Sequence, residues 1–254
     1  MRRAEIRRIL RTQRSATVEE LCSLLKASPA TIRRDLAALE ENAEIERSHG
    51  GAVVPLLRSA EQNFAQRESR DAAEKQAIAA AILPLIEAGS TLFLNDGSTV
   101  MAIAKAIVEA GIEVFVATPA VNVAAKLAES DAVTACLLGG FVRQSSLATS
   151  GPFAEAMAAQ INADLAIISP DALHPERGIT FINAEDAALA RRMAAQSRHV
   201  TVAATSAKLL SVARVGSIPL TAVSRLVLGC HIQDVPQAIA DCGAEILAVR
   251  SLPQ

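Results

Sequence analysis

The chain of 254 residues contains no tryptophan, no tyrosine and only six phenylalanines. Without aromatic platforms, base stacking on single-stranded nucleic acid is disfavoured, and the core has to be built from Ala, Leu, Ile and Val. No apolar run approaches the roughly 20 residues that a membrane-spanning helix needs. The basic start Met1-Arg2-Arg3-Ala4-Glu5-Ile6 is not followed by an unbroken apolar segment, so no signal peptide is expected. Cysteine is scarce: Cys22, Cys136, Cys230 and Cys242 stand apart without C-x-x-C spacing, and read as buried thiols of a reducing cytoplasm. His49, His174, His199 and His231 are equally dispersed, so neither a metal nor another cofactor is expected.

What remains is 51% apolar and 20% charged, as in a globular protein with a substantial core. The charge is uneven. Residues 1–58 carry 11 Lys and Arg against 8 Asp and Glu, whereas the rest carries 14 against 19. A small basic module joined to a mildly acidic one suits a nucleic-acid reader attached to a second domain.

The first fifty residues read as three short helices and a hairpin. Ile6, Ile9 and Leu10 share one face of a first helix. Thr17-Val18-Glu19-Glu20 has the capping-box form, and Val18, Leu21, Cys22 and Leu25 follow it as an i, i+3, i+4, i+7 stripe. Ser28-Pro29 starts a third helix with a hydroxyl N-cap and proline at the first helical position. That helix runs to about Glu41 and turns Ile32, Leu36 and Leu39 inward. Ile45–His49 and Ala52–Val54, about Gly50-Gly51, read as the two strands of a wing.

The short Lys26-Ala27-Ser28 connection sets the third helix across the second, as in a helix-turn-helix, where the start of the second of the pair meets base edges. With Ile32 and Leu36 inward, Arg33 and Arg34 must project outward, where a guanidinium can clasp guanine with two hydrogen bonds. Thr31 can meet a thymine methyl or a phosphate, and Ser28 sits at the helix start, where free N–H groups favour anions. Arg2, Arg3, Arg7, Arg8 and Arg11 add charge on the first helix. Arg47 and His49 stand by the wing, within reach of the backbone or minor groove. The competing reading of Arg33 and Arg34 is a solvated face paired with Asp35 or Glu40.

From about residue 57 to 71 the sequence is polar and without periodicity, and reads as a linker between a winged helix-turn-helix over 1–56 and an α/β domain over 72–254. Beyond it, apolar runs at Thr91–Leu94, Ile112–Val116, Val133–Leu138, Leu165–Ile168, Val200–Ala203, Arg225–Leu228 and Glu245–Val249 have too few polar positions to alternate. Strands covered on both faces look like that. Ala-rich helical stretches separate them, at Ala72–Ala88, Thr99–Ala110, Val121–Glu129, Pro152–Asn162, Glu185–Ser197 and Val235–Cys242. The rhythm predicts a mostly parallel, doubly wound sheet.

Asn95-Asp96-Gly97-Ser98-Thr99 lies between a strand and a helix, with the ingredients of an anion cradle: a flexible Gly, hydroxyls and free helix-start N–H groups. Gly139-Gly140 also follows a strand. Each glycine motif alone also reads as a tight turn, but strand carboxyl ends are the ligand edge of open α/β sheets. Asp96 suits either a ligand hydroxyl or the cap of the following helix.

Arg7-Arg8-Ile9-Leu10, Val18-Glu19-Glu20-Leu21, Ser28-Pro29-Ala30-Thr31-Ile32-Arg33-Arg34-Asp35-Leu36, Leu39-Glu40 and Ile45-Glu46-Arg47-Ser48-His49-Gly50-Gly51-Ala52 resemble the N-terminal domain of the DeoR family of bacterial transcription regulators. The resemblance continues along the chain. It implies a usually oligomeric repressor of sugar or related catabolic genes, released from duplex DNA by a metabolite. The implied sensor fold is like ribose-5-phosphate isomerase and glucosamine-6-phosphate deaminase. On that pattern Gly97-Ser98-Thr99 would hold a phosphate, and Thr118, Gly139, Gly140, Gly151, Gly178 and Lys208 would line or shape the pocket. The sequence departs from the pattern at Asn95, where the family has Asp, and at Pro119, where it has Asn. It departs again at Ala190, in place of Lys, and at Thr205, in place of the Asp three residues before the Lys.

Three readings follow. The first is a DNA-binding regulator with a sensor domain. The second is a sugar-phosphate isomerase or deaminase-like enzyme with a DNA-binding appendage. The third is a regulator that senses a protein partner or only oligomerises, its pocket having decayed. Asn95 and Thr205 remove the carboxylates that such an enzyme needs as base and acid, which favours the first.

Overall fold

The computed structural model describes residues 2–13, 15–41, 45–48, 50–53, 57–58 and 64–249. The chain divides into two compact units, Met1–Ala60 and Glu61–Gln254.

In the first unit, α1 (Arg2–Gln13), α2 (Val18–Leu25) and α3 (Pro29–Glu41) surround a small aliphatic core. Ile6, Leu10, Leu21 and Ile32 are fully buried there, with Leu36 and Leu39 beside them. The stripe on α2 is only part core, because Val18, Cys22 and Leu25 are half-buried. Thr17 caps α2 as its sequence predicts: its hydroxyl accepts from Glu20 N at 3.1 Å, and Glu20 Oε2 accepts from Thr17 N at 2.8 Å. Lys26, in the left-handed region at φ 48°, ends the helix. The wing pairs Glu46–Ser48 with Gly51–Val53, and a strand not anticipated from the sequence, Ser15–Thr17, adds to its other side. That third strand explains Gly51: a Cβ there would lie 2.3 Å from the Ala16 carbonyl oxygen, so no side chain fits against the crossing backbone.

The second unit is built on seven strands in the order Glu245–Ala248, Arg225–Gly229, Ser197–Thr205, Ala163–Ile168, Thr91–Leu94, Val114–Thr118, Val133–Leu137. Every neighbouring pair is parallel. All seven apolar runs read from the sequence are therefore strands of one doubly wound sheet. Two apolar clusters sandwich it: one includes Phe93, Ile168 and Val202, the other Leu92, Leu94 and Ile103. Consecutive residues of one strand point into opposite cores, which is why these strands show no polar alternation.

The helices of this unit are α4 (Phe64–Ser69), α5 (Ala72–Ile82), α6 (Ser98–Ala110), α7 (Val121–Leu127), α8 (Pro152–Ala158), α9 (Ala184–Ala195) and α10 (Gln237–Ala240). Three differences from the sequence reading have physical reasons. Phe64–Ser69, read as linker, is helical, because Phe64 packs against the α5–α6 core and supplies the apolar contact that so short a segment cannot advertise by periodicity. Helix α5 stops at Ile82, ahead of Pro84, and continues as one 3-10 turn. The antiparallel hairpin of Phe141–Arg143 with Ala148–Ser150 and the small sheet of Ala172–His174, Gly178–Phe181 and Val215–Ile218 were not read from the sequence. Their strands are three or four residues long, too short for a period of two to register.

Candidate nucleic-acid interface and ligand site

At the start of α3, Ser28 Oγ accepts from Thr31 N at 3.3 Å and lies 2.8 Å from Thr31 Oγ1. The predicted cap is thus present, and the two hydroxyls meet at the exposed head of the helix. With Ile32 and Leu36 anchored in the core, Arg33 and Arg34 are left exposed on the opposite face. Asp35, which the competing reading offered as a partner for those arginines, turns inward and gathers α1: it accepts from Arg2 Nε at 2.5 Å and Arg3 Nε at 3.1 Å. Burial works against its charge, yet the hydrogen bonds and charges of Arg2 and Arg3 outweigh that and hold its carboxyl below the ordinary aspartate value. Arg3, read as a DNA contact, therefore ties α1 to α3, with half of its side chain still exposed. The side chains of Arg7, Arg8, Arg11 and Arg47, and His49 altogether, lie outside the described residues.

In the second unit, strand order reverses between Thr91–Leu94 and Ala163–Ile168. Open α/β sheets bind ligands beyond the strand carboxyl ends at such a point. Asn95 and Ser169, the residues that follow those two strands, clasp each other across it. Asn95 Nδ2 donates to the Ser169 carbonyl at 3.1 Å, and Asn95 Oδ1 accepts from Ser169 N at 2.8 Å. Lys208 Nζ donates to Ser169 Oγ at 3.0 Å, and Thr118 Oγ1 donates to the Asn95 carbonyl at 3.4 Å. Asn95, Thr118 and Lys208 are thus brought together as a brace of the strand ends. An asparagine serves here better than an aspartate, since one end must donate and the other accept.

Gly97, at φ 118°, is the N-cap of α6 and no side chain caps the helix. The expectation that Asp96 caps it is not met. Ser98 and Thr99 are buried at the first turn, whose N–H groups have no partner within the helix. Asp96 stands half-buried just before them. Burial, then the nearby Asp186 and Asp171 carboxylates, push its carboxyl up to about 7 against the pull of Arg67 and Arg143.

Gly139 and Gly140 serve the adjacent hairpin. Gly139 N donates to Met157 Sδ at 3.0 Å, and a Cβ on Gly140 would lie 3.1 Å from the Ser150 carbonyl. The hairpin is bound to the start of α9: Arg143 forms a two-pronged pair with Asp186, one prong at 2.7 Å, and Ser150 Oγ donates to Glu185 at 2.7 Å. Gly151, at φ 82°, caps α8 beside Glu185. A Cβ on Gly178 would lie 2.2 Å from the Ile218 carbonyl, so that glycine lets two strands approach. Ala190 is core and Thr205 is buried, and after it Ser206 donates to Glu74 from both N and Oγ.

Sequence reasoning missed Arg67, Arg143, Asp171, Glu185 and Asp186. Only the last two carried a local signal, as acids in the first turn of a helix. Among the described residues no cluster of His, Cys, Asp or Glu could hold a metal, and no helix is long and apolar enough to cross a membrane.

Residues 2–56 match the DeoR-like helix-turn-helix domain and residues 70–229 the DeoR C-terminal sensor domain. The HTH-type transcriptional regulator GlpR of Haloferax volcanii is 35% identical over 76% of this chain and 75% of its own length. The transcriptional repressor AccR of Agrobacterium fabrum is 27% identical over 100% of this chain and 93% of its own length. Among solved structures, ribose 5-phosphate isomerase A from Neisseria gonorrhoeae overlaps 57% of this chain and 56% of its own, at 13% identity and TM-score 0.42. That overlap is too slight to speak to function. With a DNA-reading helix-turn-helix ahead of a sensor domain, and regulators as its relatives, this chain belongs to the DeoR family of transcription regulators and is not an enzyme.

Proposed function

We propose that this regulator is a repressor of genes for the breakdown of sugars or related compounds, and that a small phosphorylated metabolite releases it from its operator. In the DNA-bound state α3 lies in the major groove. Arg33 and Arg34 meet base edges there, while Ser28, Thr31 and the start of α3 meet phosphate. Arg3, Arg47 and His49 add contacts to the backbone or minor groove. The observation that carries this reading is the pair of exposed arginines on a helix whose other face is anchored by Ile32 and Leu36.

The metabolite occupies the carboxyl edge of the sheet at the reversal of strand order. Its phosphate sits on the first turn of α6, at Gly97, Ser98 and Thr99, and Asp96 accepts from a hydroxyl of the same ligand. Asn95, Thr118 and Lys208 hold the strand ends in register beneath it, and Gly139 and Gly140 shape one wall. The protein acts as a homo-oligomer on paired half-sites, because a symmetric reader mirrors its symmetry in the operator.

Selection of bound duplexes from a random pool, repeated with candidate sugar phosphates, tests both halves. The expected result is a motif with two-fold symmetry whose recovery falls when the right sugar phosphate is present. Enrichment of no motif, or of one insensitive to both Arg33→Ala and Arg34→Ala, overturns the assignment of α3. An inducer response that survives Ser98→Asp, which sets like charge against a bound phosphate, places the ligand elsewhere.

A further inference from the structure

One end of the second unit's sheet is bare of charge. The Val133–Leu137 strand is the last of the seven, and among the described residues no strand pairs with its outer edge. From residue 132 to residue 162, through that strand, the hairpin and α8, no exposed residue is charged. The two charged side chains of the stretch, Arg143 and Glu155, are half-buried, and Arg143 is paired with Asp186. The chain as a whole is 20% charged, so the gap is not a matter of composition. Strands at a sheet edge normally carry charges that stop another chain from pairing with them. This one carries none. The middle of the surface is apolar. Phe141 of the hairpin is 80% exposed and Phe153 of α8 is 63% exposed. Their rings meet edge to face with centroids 6.1 Å apart. Met157 lies one turn after Phe153 on the same face of α8, beside exposed Pro152 and Ala156. The patch stands on a firm base. Ala154 and Ala158, on the opposite face of α8, are fully buried, and Arg143 and Ser150 tie the hairpin to α9.

We infer that this surface, centred on Phe141 and Phe153, is where two copies of the chain meet. The inference rests on the proposed homo-oligomer and names its interface. Chemistry selects the occupant. With no exposed charge the surface offers nothing to nucleic acid, and a charged partner laid on it would lose water without gaining a counter-charge. An uncharged apolar patch is complementary to itself, as the two-fold contact of a homodimer requires. Depletion of charge and enrichment in aromatic residues mark the centre of such interfaces. Size agrees with this. At about 200 Å² for a phenylalanine, the two rings alone leave about 300 Å² in water, against the about 800 Å² that each partner of a stable complex buries. The exposed face of α8 and the outer edge of the Val133–Leu137 strand adjoin them and supply the rest.

Sedimentation velocity of the full-length protein, over a series of micromolar and lower concentrations, compares wild type with Phe141→Glu, Phe153→Glu, Phe141→Leu and Ile232→Glu. Ile232 is 64% exposed and follows the Arg225–Gly229 strand, toward the other end of the sheet, so it controls for the loss of an exposed apolar group. Wild type should sediment as a dimer or a larger assembly. Phe141→Glu and Phe153→Glu should each weaken that assembly at least tenfold, as removal of an interface anchor does. Phe141→Leu, which keeps the surface apolar, should weaken it less, and Ile232→Glu should leave it unchanged. Because both rings are exposed, the glutamate variants should keep the circular dichroism spectrum of wild type. Hydrogen exchange of wild type, which needs no substitution, should slow over residues 133–142 and 152–158 as concentration rises. Unchanged exchange there in an assembled wild type overturns the inference. So does an assembly that survives both glutamates, or one that Ile232→Glu weakens equally; in these cases the homo-oligomer reading stands and its interface lies elsewhere. A wild type that stays monomeric also overturns the inference, and the reading of paired half-sites falls with it if the selected duplexes lack two-fold symmetry.

Discussion

At the scale of single residues, two aspartates have opposite electrostatic fates, and each leads to a test. Asp35 is buried and paired with two exposed arginines, and its carboxyl is held below its ordinary value. A depressed carboxylate contributes stability that is present above the unfolded pKa of about 3.9 and is lost as pH falls through the folded value. Asp35→Asn should therefore destabilise the first unit at pH 7 and blunt its loss of stability in acid, as followed by circular dichroism. The cost at neutral pH should be about 1–3 kcal/mol, since Arg2 and Arg3 lose a buried acceptor but keep access to water. Asp96 is the reverse case, raised to about 7 by burial and by Asp186 and Asp171. A raised carboxyl costs nothing when it is protonated in both folded and unfolded states. The cost appears as pH rises past the unfolded value and is complete above the folded one. Asp96→Asn should accordingly raise the unfolding temperature at pH 8 and leave it unchanged near pH 3. A uniform shift at both pH values would mean that charge is not the cause. Arg33 and Arg34 make the functional counterpart: Ala at either should cost about 1–3 kcal/mol at one base position if that side chain reads a base.

At the scale of elements, the helices of the first unit begin where their side chains say they should. Thr17 and Ser28 satisfy helix-start N–H groups that would otherwise have no partner. Thr17→Ala should lower stability by about 1 kcal/mol, measured by denaturant unfolding. The wing depends on a different kind of contact. Gly51→Ala pushes a Cβ into the Ala16 carbonyl, whereas at Gly216 an added Cβ meets nothing within 4 Å. Gly51→Ala should displace the wing and weaken operator binding while Gly216→Ala leaves both unchanged. Equal behaviour of the two in a DNA-binding titration would show that the Ser15–Thr17 strand does not lie against Gly51. The elements that escaped the sequence reading are short and antiparallel. The Phe141–Arg143 strand and its partner owe their existence to tertiary pairs, Arg143 with Asp186 and Ser150 with Glu185, formed with residues more than thirty positions away.

At the scale of the molecule, the uneven charge and the DNA-reading unit predict that operator affinity falls steeply with salt. Log K should decline against log salt with a slope near 0.9 for each phosphate contacted. Arg33→Ala should reduce that slope only if its contact is to phosphate. A reduced slope with unchanged base preference would move Arg33 from reading to positioning.

The sequence by itself determined the two kinds of architecture and their order. Capping boxes, apolar stripes and unbroken apolar runs are local consequences of helix and strand geometry, so they are written within a few residues of where they act. The same locality exposed Arg33, Arg34 and the Gly97–Thr99 turn as candidates. Only the tertiary structure decided which polar side chains meet. It gave Asn95 a clasp on Ser169, drew Arg3 back onto Asp35, and made a helix of Phe64–Ser69 inside an apparent linker. The reason is that a polar side chain's role depends on which donors, acceptors and charges lie within a few ångströms of it. Those neighbours are assembled by the packing of strands distant along the chain.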